Sequence, residues 1–186
     1  MRRRKPFPAR ITGRRWDVLA WNRASIALFG DYGALPEGHR NILWSMLMRP
    51  DWRSLSRDWS AEVERCVAQF RSEAAPHLDE PAFQSLLAEL NELSPEFREL
   101  WARQDVRGRT AGLKHLDHPT LGDLELEYSW YQIGDQPGMS LCLYTPIPGS
   151  RTESVLRSLD LDAYGPPGVR TEATPLDGAA AVSAPA

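Results

Sequence analysis

The sequence predicts an α+β fold, an antiparallel sheet with helices packed over one face. Three observations predict it. From about residue 40 to 104, apolar residues recur at helical spacing. After Gly108 they alternate with polar residues at period two. Ahead of both stands a short β-compatible segment, "WDVLAW". A chain of 186 residues, 42% hydrophobic and with seven Trp, has the apolar surface for one core.

Residues 1–13 are basic and contain Pro6 and Pro8, so they read as an extended or disordered arm. "WDVLAW" suits a strand with Trp16, Val18 and Ala20 on one face. "NRASIALFG" suits a short helix, with Asn22 as N-cap, Ile26 and Phe29 on one side and Gly30 as the stop. "HRNILWSMLMRPDWRSL" reads as a helix presenting Ile42, Leu43, Met46 and Leu47, and Pro50 ends it. Asp58 or Ser60 caps the next, whose stripe is Val63, Cys66 or Val67, Phe70 and Ala74. A further helix begins near Asp79, with Pro81 in its first turn, and buries Phe83, Leu86, Leu87, Leu90 and Leu93. Ser94-Pro95 opens another by placing a capping hydroxyl before a proline at the first helical position, and its face is Phe97, Leu100 and Trp101.

"AGLKHLDHP" reads as a strand, and in "GDLELEYSWYQI" Leu124, Leu126, Tyr128 and Trp130 alternate with polar neighbours. "GDQPG" is the hairpin turn, and "MSLCLYTPI" returns with Leu141 and Leu143 on its apolar face. Residues 150–161 suit a last helix. Residues 163–186 are rich in Pro, Ala and Gly and read as a disordered tail, which leaves 14–162 as the folded domain.

Several function classes drop out. The seven basic residues within 1–15 meet no acid, so the net −3 of the chain becomes −10 over residues 16–186, a body that repels nucleic acid phosphates. No apolar run reaches membrane-spanning length, and the start lacks the apolar stretch of a secretion signal, so a cytoplasmic protein without a membrane partner is expected. Cys66 and Cys142 stand apart and read as core residues rather than a bridge. There is no glycine-rich phosphate loop, no G-x-S-x-G and no H-E-x-x-H, so neither catalysis, metal nor cofactor is expected.

Three constellations carry two readings each. In "HLDH", His115 and Asp117 share a strand face while His118 points away, which suits a strand end with surface histidines better than a ligand cluster. The tryptophans suit core packing, or the wall of a hollow between sheet and helices. Arg98, Arg103, Arg107 and Arg109 cluster near a helix end. They read as cations at the negative end of a dipole, or as the source of one arginine guarding a pocket mouth.

Taken in order, "GRRWDVLAWNRASIALFGDYGALPEGHRNIL", "DWSAEVERCVAQFR", "SPEFRELWARQDV" and "HPTLGDLELEY" resemble the MmyB-like ligand-binding domain, the C-terminal sensor part of XRE-type helix-turn-helix regulators abundant in actinobacteria. The resemblance implies a PAS-like sheet, with "WDVLAWN" as its first strand and helix start, and a pocket for a small, fatty-acid-like ligand. It also implies that DNA is reached only through a helix-turn-helix, whereas here a basic arm alone precedes Gly13. Gln104 stands where the family tends to carry histidine, and Met46-Leu47 where an LF pair is commoner, which implies a differently shaped pocket. On this reading Trp21, Phe29, Leu43, Met46 and Leu47 line the pocket from the helical side. Leu126, Tyr128, Leu141 and Leu143 line it from the sheet, and Arg103 holds the ligand carboxylate at the mouth. The alternative is an interaction module whose hollow is filled by side chains and whose sheet face forms a homodimer.

Overall fold

The computed structural model describes residues 7–108, 111–134 and 138–169. Its six strands form one antiparallel sheet in the order β3-β4-β5-β1-β2-β6. They are β1 (Ala9–Thr12), β2 (Val18–Trp21), β3 (Gly112–His118), β4 (Gly122–Gln132), β5 (Ser140–Pro146) and β6 (Gly168–Val169). The fold is α+β, as the sequence pattern predicts, with the PAS-like sheet that the resemblance implies.

The arm is the first departure. Residues 9–12 form a strand between β5 and β2, so "WDVLAW" supplies the second strand and not the first. Arg10, Arg14 and Arg15 are accordingly not a free basic arm. Arg10 is buried, Arg14 pairs with Glu80 at 3.3 Å and Arg15 with Asp17 at 2.9 Å. The register of β1 on β2 shifts between Ile11 and Thr12, setting Arg10 opposite Trp21 and Thr12 opposite Val18. That bulge turns Val18 and Trp21 inward and leaves Ala20 only half-buried, against the simple alternation expected. Trp16 lies off the strand with a φ of 64°, and its indole donates to Glu73 at 2.9 Å. At the other end β6 lies at Gly168–Val169, beyond the expected boundary at 162; residues 170–186 of the expected tail, 1–6 of the arm and 135–137 of the hairpin turn lie outside the described residues.

The helices begin where their capping residues stand. In α1 (Arg23–Phe29), Asn22 Oδ1 accepts from Ser25 N at 2.9 Å and Ala9 N at 3.2 Å, tying the helix start to β1. Gly30, at a φ of 81°, ends it in the left-handed region. Asn41, fully buried, caps α2 (Ile42–Met48), and its Nδ2 donates to Arg15 O and Asp17 Oδ1. Pro50 does more than stop α2, because it occupies the first turn of a separate helix, α3 (Pro50–Leu55). Asp58 caps α4 (Trp59–Ala74), Pro81 starts α5 (Pro81–Leu93), Ser94 caps α6 (Pro95–Ala102) and Ser150 caps α7 (Arg151–Ser158).

The stripe of α4 is buried at Val63, Val67, Phe70 and Ala74, while α5 buries Phe83, Leu86 and Leu90 and leaves Leu93 54% exposed. Leu116, Leu124, Leu126, Cys142 and Tyr144 of the sheet join Phe29, Leu43, Met46, Trp52, Val63 and Phe70 of the helices in one core. Near the start of β4, Thr152 Oγ1 accepts from Glu125 N and docks α7.

Candidate ligand-binding site

The inner sheet face is set by register. Opposed residues of an antiparallel pair share a face, and β4 meets β5 at Trp130–Cys142, Tyr128–Tyr144 and Leu126–Pro146. Ser140, Cys142 and Tyr144 therefore point inward with Leu126. Leu141 and Leu143 face the other side, half-buried, opposite Tyr131 and Ser129. The apolar alternation of "LCL" pointed to the wrong face because the inward positions of β5 include a serine, a cysteine and a tyrosine. All three are buried, yet none carries the apolar signal of a leucine.

The other expected wall residues divide as follows. Trp21, Phe29, Leu43, Met46 and Leu126 are buried on the inner side, and Leu47 and Tyr128 are half-buried against the same core. Arg103 is elsewhere: its side chain, 44% exposed, pairs with Glu99 at 2.6 Å and Glu64 at 3.5 Å, commitments made on the surface. His115 and Asp117 are exposed, with Asp117 held by Arg57. His118 is half-buried, donates from Nε2 to Ala27 O at 3.0 Å, and has its pKa lowered by that burial. No group of three His, Cys, Asp or Glu residues able to hold a metal occurs among the described residues.

A cavity of about 10 Å³ lies under α2, α3 and α4, lined by Phe29, Met46, Trp52, Leu55, Trp59 and Leu116, with Ser56, Glu62 and Lys114 as its polar members. It has room for roughly one water molecule. Phe29 and Met46 are the expected wall residues that reach it. Glu62 and Lys114 are paired to each other, and Ser56 Oγ donates to Glu62. Burial alone would raise the Glu62 pKa, but the charge of Lys114 and the bonds from Lys114 and Ser56 hold it below the ordinary glutamate value.

Beyond Phe29 lies the residue that the sequence reading missed. Arg10, on the inward side of β1, is 4% exposed. Its guanidinium carbon stands 5.3 Å from the Phe29 ring centroid, 5.2 Å from Tyr144 and 5.9 Å from Trp130. Nη1 donates to Tyr32 Oη at 3.2 Å, and Nε has no hydrogen-bond partner. Burial works against its charge, Tyr144, Tyr32 and Cys142 work for it, and the balance lies upward, so the guanidinium keeps its proton. Burial in turn pushes the Tyr32 and Tyr144 phenols up despite the pull of Arg10, leaving both neutral at physiological pH. The one clue in "ARIT" was inverted, since Ala9 and Ile11 suggest an apolar face and the buried face is Arg10 and Thr12.

Compared with protein families, the chain matches, over residues 1–159, the model of the family described as the MmyB-like transcription regulator ligand binding domain. The matched span takes in β1. No match was found among curated proteins.

Proposed function

Given that the chain belongs to the MmyB-like transcription regulator ligand-binding domain family, we propose that it senses a fatty-acid-like small molecule held between the inner sheet face and α1–α4. In this reading it serves an XRE-type regulator, and contact with DNA falls to a helix-turn-helix outside these 186 residues.

The observation that supports the reading is the cavity at the junction of sheet and helices, whose wall is mostly apolar (Phe29, Met46, Trp52, Leu55, Trp59) beside Ser56 and the paired Glu62 and Lys114. An acyl chain needs little polar recognition there, since each buried methylene contributes about 0.8 kcal/mol. At about 10 Å³ the cavity does not admit a chain as it stands, so side chains must yield. Met46 is suited to this, being unbranched and adaptable. The same small volume favours a second reading, an interaction module whose hollow is filled by its own side chains.

Native mass spectrometry of gently purified protein, followed by calorimetric titration with decanoic acid and 1-decanol, separates the two. An adduct of acyl-chain mass, or saturable binding of either probe, supports sensing. A bare protein mass with no binding of either probe overturns it in favour of the interaction module.

A further inference from the structure

Arg10 is a full positive charge inside the core, and no carboxylate among the described residues pairs with it. The groups that face it are Tyr32, Tyr144 and Cys142, the rings of Phe29 and Trp130, and, among the described residues, no carboxylate. Aromatic faces attract a cation, but neutral phenols and rings do not neutralise one. A buried charge of this kind is expensive unless paired, and replacing it by an apolar side chain is ordinarily neutral or favourable. Its Nε is left without a hydrogen-bond partner, and so are two neighbouring inward donors, Trp21 Nε1 and Thr12 Oγ1. Trp21 stands directly across from Arg10 in the β1–β2 pair, and Thr12 follows Arg10 on the same face of β1. Three unmet donors and one unmet cation on a single stretch of sheet make a demand that a carboxylate, with two acceptor oxygens and one negative charge, answers.

The position connects to the cavity. Phe29 lies against Arg10 and also lines the cavity, and Trp52 lines the cavity while its ring meets Phe29 at 5.7 Å and Tyr32 at 6.1 Å. A chain whose tail occupies the cavity therefore shares Phe29 with Arg10.

We infer that Arg10 binds the carboxylate of the ligand, so that an apolar monocarboxylic acid enters with its acid group toward the sheet and its tail along Phe29 and Met46 toward α3 and α4. This rests on the acyl-ligand reading above and adds to it where the acid group sits. The surface arginine Arg103 then has no part in binding.

The test compares decanoic acid with 1-decanol by calorimetric titration on the full chain and on Arg10→Met, which keeps an apolar stem and removes the charge. The wild type binds decanoate more tightly than decanol. Arg10→Met loses at least about tenfold in decanoate affinity and keeps its decanol affinity, because only the charged contact has gone. Undiminished decanoate binding by Arg10→Met overturns the assignment of Arg10 and leaves the acyl-ligand reading standing. Failure of the wild type to bind either probe overturns both. If Arg10→Met does not fold, the wild type still decides the matter. The carboxyl signal of bound [1-¹³C]decanoate is followed against pH by NMR. A carboxyl that stays ionised below the free acid's range supports contact with the guanidinium, and one that protonates at or above that range rules it out.

Discussion

Glu62 of α4 and Lys114 of β3 form an ion pair at the wall of the cavity, with only 10% and 13% of their side chains exposed. Removing one partner strands the other in the core, so Lys114→Met is expected to cost about 3–5 kcal/mol in urea unfolding. The double variant Lys114→Met/Glu62→Leu is expected to recover most of it. The pH dependence follows from the lowered Glu62 pKa. The contribution of this carboxylate is fully present above the ordinary glutamate value of 4.5 and is lost as pH falls through the lower folded-state value. Acid unfolding of Lys114→Met should lack that component. Equal acid sensitivity in both proteins counts against the pair.

Asn41 holds three things with one side chain. Its Oδ1 caps α2 through Trp44 N at 3.1 Å, and its Nδ2 reaches Arg15 O at 2.7 Å and Asp17 Oδ1 at 3.1 Å. Asn41→Ala loses a cap and leaves buried partners unmet, an expected cost of about 2–4 kcal/mol by denaturant unfolding. A loss under about 1 kcal/mol would show the cap alone to matter.

Deletion through Thr12 is expected to prevent cooperative folding, because it removes an interior strand and bares the edges of β2 and β5. Circular dichroism melting and heteronuclear NMR of the truncated chain check this. A well-dispersed spectrum would return β1 to the status of a dispensable arm.

Cys66 keeps some exposure, yet burial of its sulfur pushes the thiol pKa up to about 12. Cys142 is fully buried. At pH 8 both thiols are expected to react with Ellman's reagent only as the protein unfolds, and a stoichiometric burst from the native protein would contradict this.

Met46→Trp is expected to fill the cavity and abolish 1-decanol binding while the protein stays folded, at an overpacking cost of about 1–3 kcal/mol. Retained decanol binding in a folded variant places the tail elsewhere.

Helices were legible because their boundaries are written locally. Asn22, Asp58, Ser94-Pro95 and Gly30 act within a few residues of themselves, and each stands where its helix starts or stops, whereas the cap at Asn41 was hidden inside the stretch that reads as helix. Strand faces were legible only where a whole strand alternates, as at Leu124 and Leu126. They were misread on β5, where pairing decides the face, and on β2, where a bulge resets the alternation. β1 was missed because four residues in a basic, proline-containing stretch carry no period of their own, and their place is fixed by partners far along the chain. The candidate site was legible at Phe29 and Met46, whose helical spacing is local. Arg10 was not, since an arginine reads as surface until the sheet encloses it.

That enclosure imposes an order on folding. Of the two strands flanking β1, β2 follows within a few residues, but β5 comes only at Ser140–Pro146, with Ala9 opposite Leu143. Tyr144 and Cys142, which complete the surroundings of Arg10, arrive with it. Until then the guanidinium remains hydrated at an open edge, and a nascent chain emerging amino end first cannot dehydrate it. Sheet closure and loss of that hydration shell are thus one late event, with long-range closure entropy and ionic desolvation both concentrated in it. Refolding kinetics should register that step as the slow one.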